Sequence, residues 1–348
     1  MTEEVTEGLP KDSAERNQQY GRITSFSLRG KRLGDKYERL MEQYAQFYTI
    51  DVPKGFAPAT IADTAVIDLC KEFGREAPLI IEVGPGSGEQ LAHAAAQNPE
   101  INFLAFEAWG PGVARCVQNA VRAGVENVRI LELDAAQALP IIFGAVSDDG
   151  VPLNPLAQEV WTFFPDPWRK KRHRKRRIIS PAFAQIVAGV LVPGGLWRMA
   201  TDWDNYAWQM RDVIEESPWF ENDFAGENED LADEGIYRGG FAPRFVGRLL
   251  TRFEERGIEA GRTVHDVVGT RNELASDAAL APMNPWEAAK LRGEIVAADA
   301  GGERPASSRR GWLKEQAALQ NQTGLQDQAA SRKQAEPQDL IVQESGNA

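Results

Sequence analysis

The chain has 348 residues, 39 Lys+Arg against 51 Asp+Glu, a formal net charge of −12 and two cysteines. This length buries a core without disulfide staples, as one large domain with tails or two modest ones, and the distant Cys70 and Cys116 exclude a disulfide framework or a Cys-rich zinc site. An acidic N-terminus without an apolar h-region, and apolar runs too short to span a bilayer, lead us to expect a soluble cytoplasmic protein; net charge alone argues against a nucleic-acid partner.

In chain order, residues 1–20 are polar and are expected to form a disordered tail. Leu79-Ile-Ile-Glu-Val is a short apolar run stopped by glycines, and Asn102–Glu107, Val128–Asp134, Glu159–Pro165 and Gly195–Asp202 follow as further strands. Between them lie helix-length stretches at about 88–97, 111–123, 135–143, 178–191 and 204–217. Short buried strands alternating with helices predict a doubly wound, mostly parallel α/β sheet made of right-handed crossovers. Beyond Asn222 the character changes. Glu221–Glu234 carries seven acids and reads as a surface loop, whereas Phe245–Glu255 and Thr263–Val268 are expected as late antiparallel strands. The domain is expected over residues 21–275. Residues 276–348, poor in large apolar side chains from about Ala297 onward, are expected to be mostly disordered, with short helical turns near Trp286–Arg292 and Trp312–Leu319.

The first strand runs into Glu82-Val83-Gly84-Pro85-Gly86-Ser87-Gly88, a glycine loop that opens a helix. A P-loop needs a lysine after its glycines, and none follows here; a dinucleotide fingerprint needs GxGxxG, and the residues after this GxGxG, Glu89-Gln90-Leu91, do not supply its third glycine. The acids separate the remaining readings. Glu82, Glu107, Asp134, Asp166 and Asp202 stand at or just past the ends of five successive strands, along the edge where doubly wound sheets bind ligands. A pyrophosphate there would be repelled at short range. S-adenosylmethionine carries a sulfonium, an ammonium and ribose hydroxyls instead, all suited to carboxylates. The pattern reads as a methyl-donor site, with Gly84, Gly86 and Gly88 shaping the corner.

Phe163-Phe164-Pro165-Asp166-Pro167-Trp168 follows the fourth strand, and its two prolines restrict the backbone on either side of Asp166. Residues 169–177, Arg-Lys-Lys-Arg-His-Arg-Lys-Arg-Arg, then place eight full positive charges in nine positions. The charge is therefore sorted rather than mixed, and a single-sign patch makes a local field that the net value conceals. A rigid acid and a flat aromatic joined to such a run suit a nucleobase with its phosphates, with Arg172, Arg174, Lys175, Arg176 and Arg177 as the phosphate patch.

These motifs, with Ala200-Thr-Asp-Trp, Thr251-Arg-Phe-Glu-Glu-Arg-Gly and Arg22-Ile-Thr-Ser-Phe-Ser-Leu-Arg-Gly-Lys-Arg, resemble the bacterial tRNA (guanine-N7-)-methyltransferases over about Arg22 to Arg271. The resemblance implies an S-adenosylmethionine-dependent enzyme of the Rossmann-like methyltransferase fold acting on guanosine 46 of the tRNA variable loop. It implies Glu82, Glu107, Asp134 and Asp166 as cofactor-side acids, with Asp166 at the active centre. Lys170, Asp202, Thr251, Arg252, Phe253 and Glu254 would contact substrate. The chain departs from the pattern at Arg169, where Pro or His is usual, at Arg174 for Asn, at Arg252 for Lys, and in a longer loop at Asp148–Gln158.

Other residues carry plainer expectations. His93, His173 and His265 are dispersed without metal-ligand spacing, so no metal is expected. Trp203 and Trp208 suit packing better than base stacking, and Cys116 suits a helix core. The rival readings are a same-fold methyltransferase acting on another RNA or a small molecule, a non-catalytic RNA-binding protein, and a dehydrogenase.

Overall fold

The computed structural model describes residues 24–28, 34–147 and 149–273. The tails expected to be disordered, and the turns near Trp286 and Trp312, lie outside the described residues.

Five parallel strands form the centre: β1 (Leu79–Val83), β2 (Asn102–Phe106), β3 (Val128–Leu131), β4 (Ala157–Phe163) and β5 (Leu191–Thr201). Every residue of β1 and β2 is buried, as a strand covered on both faces requires. Each fully buried Val, Leu or Ile there contributes roughly 1.5–3 kcal/mol. The sheet order is β3-β2-β1-β4-β5-β7-β6, in which β7 (His265–Arg271) runs antiparallel between β5 and the short β6 (Phe220–Glu221).

Helices cover both faces. α1 (Asp35–Tyr48), α3 (Glu89–Gln97) and α4 (Gly110–Ala123) pack together on one side, while α5 (Ala135–Phe143), α6 (Pro181–Val190) and α7 (Asp204–Glu215) pack on the other. α2 (Leu69–Phe73) precedes β1, and α8 (Arg252–Glu259) precedes β7. The chain builds β1, β2 and β3 outward in one direction, then returns to place β4 on the opposite flank of β1. The topological switch point therefore falls between β1 and β4, and the loops leaving those two strands flank it.

Several boundaries move for identifiable reasons. α6 starts at Pro181 because the Ser180 side chain accepts the Phe183 N–H at 3.3 Å. β5 begins earlier than expected because α6 runs directly into it. The strand expected at Phe245–Glu255 is instead a turn followed by α8. Arg248 N–H donates to the Phe245 carbonyl at 3.1 Å, and Thr251 caps the helix by accepting Glu254 N–H at 3.3 Å. The expected Thr263–Val268 strand is present, shifted slightly, as β7.

The acidic segment Glu221–Glu234 is not purely surface. Asp233 is buried against Arg211 at 2.6 Å, and Asp230 accepts the Trp208 indole N–H at 2.7 Å. Trp208 is thus a packing residue, and Cys116 is fully buried. The long loop near Asp148–Gln158 has a structural task. Buried Asn154 donates to the Ile67 and Ile142 carbonyls and accepts from Leu69 N–H, all at 2.8 Å, clasping the segment before α2 onto α5. No helix among the described residues is long and apolar enough to cross a membrane.

Candidate active site

The corner after β1 turns through three glycines at positive φ: Gly84 at 73°, Gly86 at 61° and Gly88 at 73°. A Cβ at Gly84 or Gly86 would meet nothing within 4 Å, so this part of the corner is open. At Gly88 a Cβ would stand 2.7 Å from the Cys116 Cα, so glycine there lets the corner press against α4.

Glu107, just past β2, closes the corner. Its Oε2 accepts Gly86 N–H and its Oε1 accepts Trp109 N–H, both at 2.9 Å. Glu82 lies beneath, 3% exposed, and its Oε2 has no hydrogen-bond partner. Burial, and then the Glu107 charge, push the Glu82 carboxyl up to about 8. Burial raises Glu107 as well, against the two N–H donors, and Asp166 and Glu132 push it the same way. Gly112, whose Cβ would come within 2.9 Å of the Glu107 carboxyl, leaves room for that side chain. Glu132 and Gly112 were missed by the sequence reading, although Glu132 stands only two residues before Asp134. Asp134 itself is buried and caps α5 by accepting Ala136 N–H at 3.0 Å.

This donor set fits S-adenosylmethionine. Glu82 and Glu107 have no cationic partner among the described residues, and Glu82 retains an unmet acceptor beneath an open glycine corner. An ammonium and ribose hydroxyls answer those carboxylates; phosphates do not.

The loop after β4 lies across the switch point. Phe164 and Trp168 both have positive φ, 50° and 44°, a conformation costing bulky residues about 1–3 kcal/mol each. The two strained residues bracket Pro165, Asp166 and Pro167. Asp166 is open to solvent, yet crowded enough that its carboxyl rises above its ordinary value, an effect the Arg176 guanidinium opposes.

The basic run forms a 3₁₀ helix over Lys171–Arg176, and the structure divides it. Lys170, Lys171, Arg172, Arg174 and Lys175 are exposed. Arg176 instead lies over the Trp168 ring at 3.7 Å and donates to the Thr24 carbonyl at 2.9 Å and the Phe26 carbonyl at 2.7 Å. Trp168 donates its indole N–H to the Ser25 carbonyl at 2.8 Å, so this pair pins residues 24–26 beside the loop. Arg177 is 4% exposed, stacks over Tyr206 at 4.4 Å, and donates to the Pro167 and Asn205 carbonyls and to Gln209. Desolvation lowers its pKa to about 10. Arg177 is therefore a strut rather than a free phosphate grip, because its Nε, Nη1 and Nη2 all donate inside the fold, and half-buried Arg176 commits its Nε and Nη2 to residues 24 and 26.

The third group of expected residues lies around α8. Phe253 is 54% exposed, and its ring stands 5.3 Å from that of Phe164, next to Asp166. Arg252 is exposed. Glu254 is 1% exposed and sits between Arg244 and Arg248, each at 3.0 Å, while Arg248 also grips Asp266. These arginines hold the Glu254 carboxyl below its ordinary value against the opposing effect of burial. Asp202 pairs with Arg262 at 2.7 Å. Glu254 and Asp202 thus contribute scaffold, and Thr251 a cap, around the exposed Arg252 and Phe253.

The sheet order, glycine corner and unpaired carboxylates define a class of protein: an S-adenosylmethionine-dependent methyltransferase of Rossmann-like fold. A family model described as "Putative methyltransferase" matches residues 76–267. A tRNA (guanine-N(7)-)-methyltransferase of Cutibacterium acnes is 41% identical, covering 72% of this chain and 83% of the relative. One of the same name from Arthrobacter sp. is 39% identical over 71% of this chain and 86% of its own, and one from Aeromonas hydrophila 38% over 72% and 92%. The chain belongs to the tRNA (guanine-N(7)-)-methyltransferase family.

Proposed function

We propose that this chain methylates N7 of a guanosine in tRNA, with guanosine 46 of the variable loop as the target implied by the family. The observation that carries the reading is the placement of Asp166. It stands on the loop leaving β4 at the switch point, between Phe164, which meets the exposed Phe253, and Trp168, over which Arg176 of the basic 3₁₀ helix lies. Donor pocket, acceptor acid and cationic surface thus meet at one switch point.

Glu82 and Glu107 hold S-adenosylmethionine, which supplies an electrophilic methyl on a sulfonium. Guanine N7 has an in-plane lone pair, so no residue need act as an obligatory base. Positioning and electrostatics carry the reaction. Asp166 accepts from guanine N1–H and the amino group, orienting the ring and stabilising the positive charge that develops on it. Phe253, Arg252 and Lys170 contact the acceptor nearby. Arg172, Arg174 and Lys175 hold phosphates, and their contribution falls steeply with salt. The groove carrying N7 in A-form RNA is deep and narrow, so a loop guanine is preferred or the target is extruded. Such an enzyme works in the bacterial cytoplasm.

The test is incubation with labelled S-adenosylmethionine and bulk tRNA, followed by chain scission specific to N7-methylguanosine. Label at the scission site is expected. Label elsewhere in the RNA, in small molecules or nowhere overturns the reading.

A further inference from the structure

Gln90 sits in the first turn of α3, two residues past Gly88, and is 5% exposed. Its side chain does not face the glycine corner's own backbone. It pairs with a segment nearly 160 positions away in sequence: the amide Nε2 donates to the Gly247 carbonyl at 3.1 Å, and Oε1 accepts Leu249 N–H at 2.6 Å. Both functional atoms of one buried amide are thus committed to one short stretch of backbone. That stretch is a tight turn closed by Arg248 N–H onto the Phe245 carbonyl. Gly247 fits there because a Cβ would stand 2.5 Å from the Phe245 ring.

The residue between the two Gln90 contacts points the other way. Arg248 is 3% exposed, pairs with Glu254 and Asp266, and lies 5.5 Å over the Phe163 ring and 5.6 Å over that of Phe164. Phe164 in turn meets Phe253 and begins the strained loop that presents Asp166. A continuous set of contacts therefore runs from the helix opened by the cofactor corner, through Gln90 and residues 247–249, to both aromatic residues of the acceptor side.

We propose that Gln90 is a positioning residue for methyl transfer: it locks residues 247–249 to the cofactor-bearing helix, fixing the spacing between donor corner and acceptor face. This rests on the methyltransferase reading above. In-line transfer tolerates little error in that spacing, and misplacement by about 1 Å costs up to about 100-fold in rate.

The experiment compares wild type with Gln90→Met, which keeps length but loses both hydrogen bonds, and with Gln90→Glu, which keeps an acceptor for Leu249 N–H. Gln90→Met is expected to lower the tRNA methylation rate about tenfold. Its Kd for S-adenosylhomocysteine should stay within about twofold of wild type, because no corner contact is removed. Gln90→Glu should fall between the two. Combined with Phe253→Leu, Gln90→Met should lower kcat by less than the product of the single effects, since both act through one face. Wild-type kcat in Gln90→Met, loss of S-adenosylhomocysteine binding in step with activity, or fully multiplicative effects would each overturn the proposal. Hydrogen exchange tests the lock without reference to substrate: amides at 247–254 should exchange faster in Gln90→Met while those of α3 do not. Unchanged exchange overturns the proposal, whereas failure of the wild type to methylate guanine N7 overturns the functional reading instead.

Discussion

Two pairs of buried carboxylates in this chain have opposite electrostatics. Glu254 and Asp266 are clamped by Arg248, with Arg244 adding to Glu254, and the Glu254 carboxyl is held below its ordinary value. Glu82 and Glu107 have no such cation among the described residues, and both are raised by burial, Glu82 to about 8. An acid neutralised inside the fold serves the fold. One buried without a partner carries an unmet cost that a cationic ligand relieves on binding. The contrast separates scaffold from site more sharply than burial does, since all four are buried.

The most severe way to break this comparison is to remove the shared cation. Arg248→Met leaves buried Asp266 without its cation and Glu254 with Arg244 alone, and is expected to cost about 3–5 kcal/mol of stability in urea unfolding. A loss below about 1 kcal/mol would mean the clamp is not what holds the segment before α8. Asp166→Asn tests the acceptor side. We expect kcat for tRNA to drop about 100-fold while S-adenosylhomocysteine binds as in wild type, and unchanged turnover would reject the role given to Asp166.

Glu82→Gln examines the unpaired acids themselves. Calorimetric titration should show S-adenosylhomocysteine affinity reduced by about 1.5–3 kcal/mol, the worth of a charged hydrogen bond. The same variant tests the pH behaviour. Between its ordinary value of 4.5 and about 8, Glu82 is protonated in the cofactor-free fold and ionised in the unfolded chain. The folded state then binds the extra proton, so this contribution is complete below 4.5 and is lost as pH rises to about 8. The wild type should therefore melt progressively lower relative to Glu82→Gln across that window, and parallel melting curves would contradict the assignment. The smallest effects belong to the exposed cations. Arg172→Ala, Arg174→Ala and Lys175→Ala should each lower the salt slope of tRNA binding by about one and leave the melting temperature unchanged.

Much of the framework was legible locally. The alternation of apolar runs with helix-length stretches sufficed for the central parallel sheet, and three glycines followed by a helix marked the corner after β1. Where prediction went astray, a distant partner decided. Phe245–Glu255 has strand-like composition, but Thr251 caps a helix there and Arg248 finds its acids on α8 and β7. The long loop at Asp148–Gln158 gained its role only in the fold, where Asn154 clasps two segments that lie far from it in sequence or on another element.

What the sequence alone determined is local and additive: periodicity, turn chemistry, and the charge types at the strand ends. The tertiary structure decided which of those charges are spent. In the run 169–177 the residues look interchangeable, yet Arg176 and Arg177 turn inward to bond carbonyl groups while Arg172, Arg174 and Lys175 remain in solvent. The physical reason is that an ion's role depends on whether a partner lies within hydrogen-bond reach, and burial magnifies that difference. That reach is a property of chain folding, which brings residue 90 to residue 249 and leaves Glu82 without a cation among the described residues.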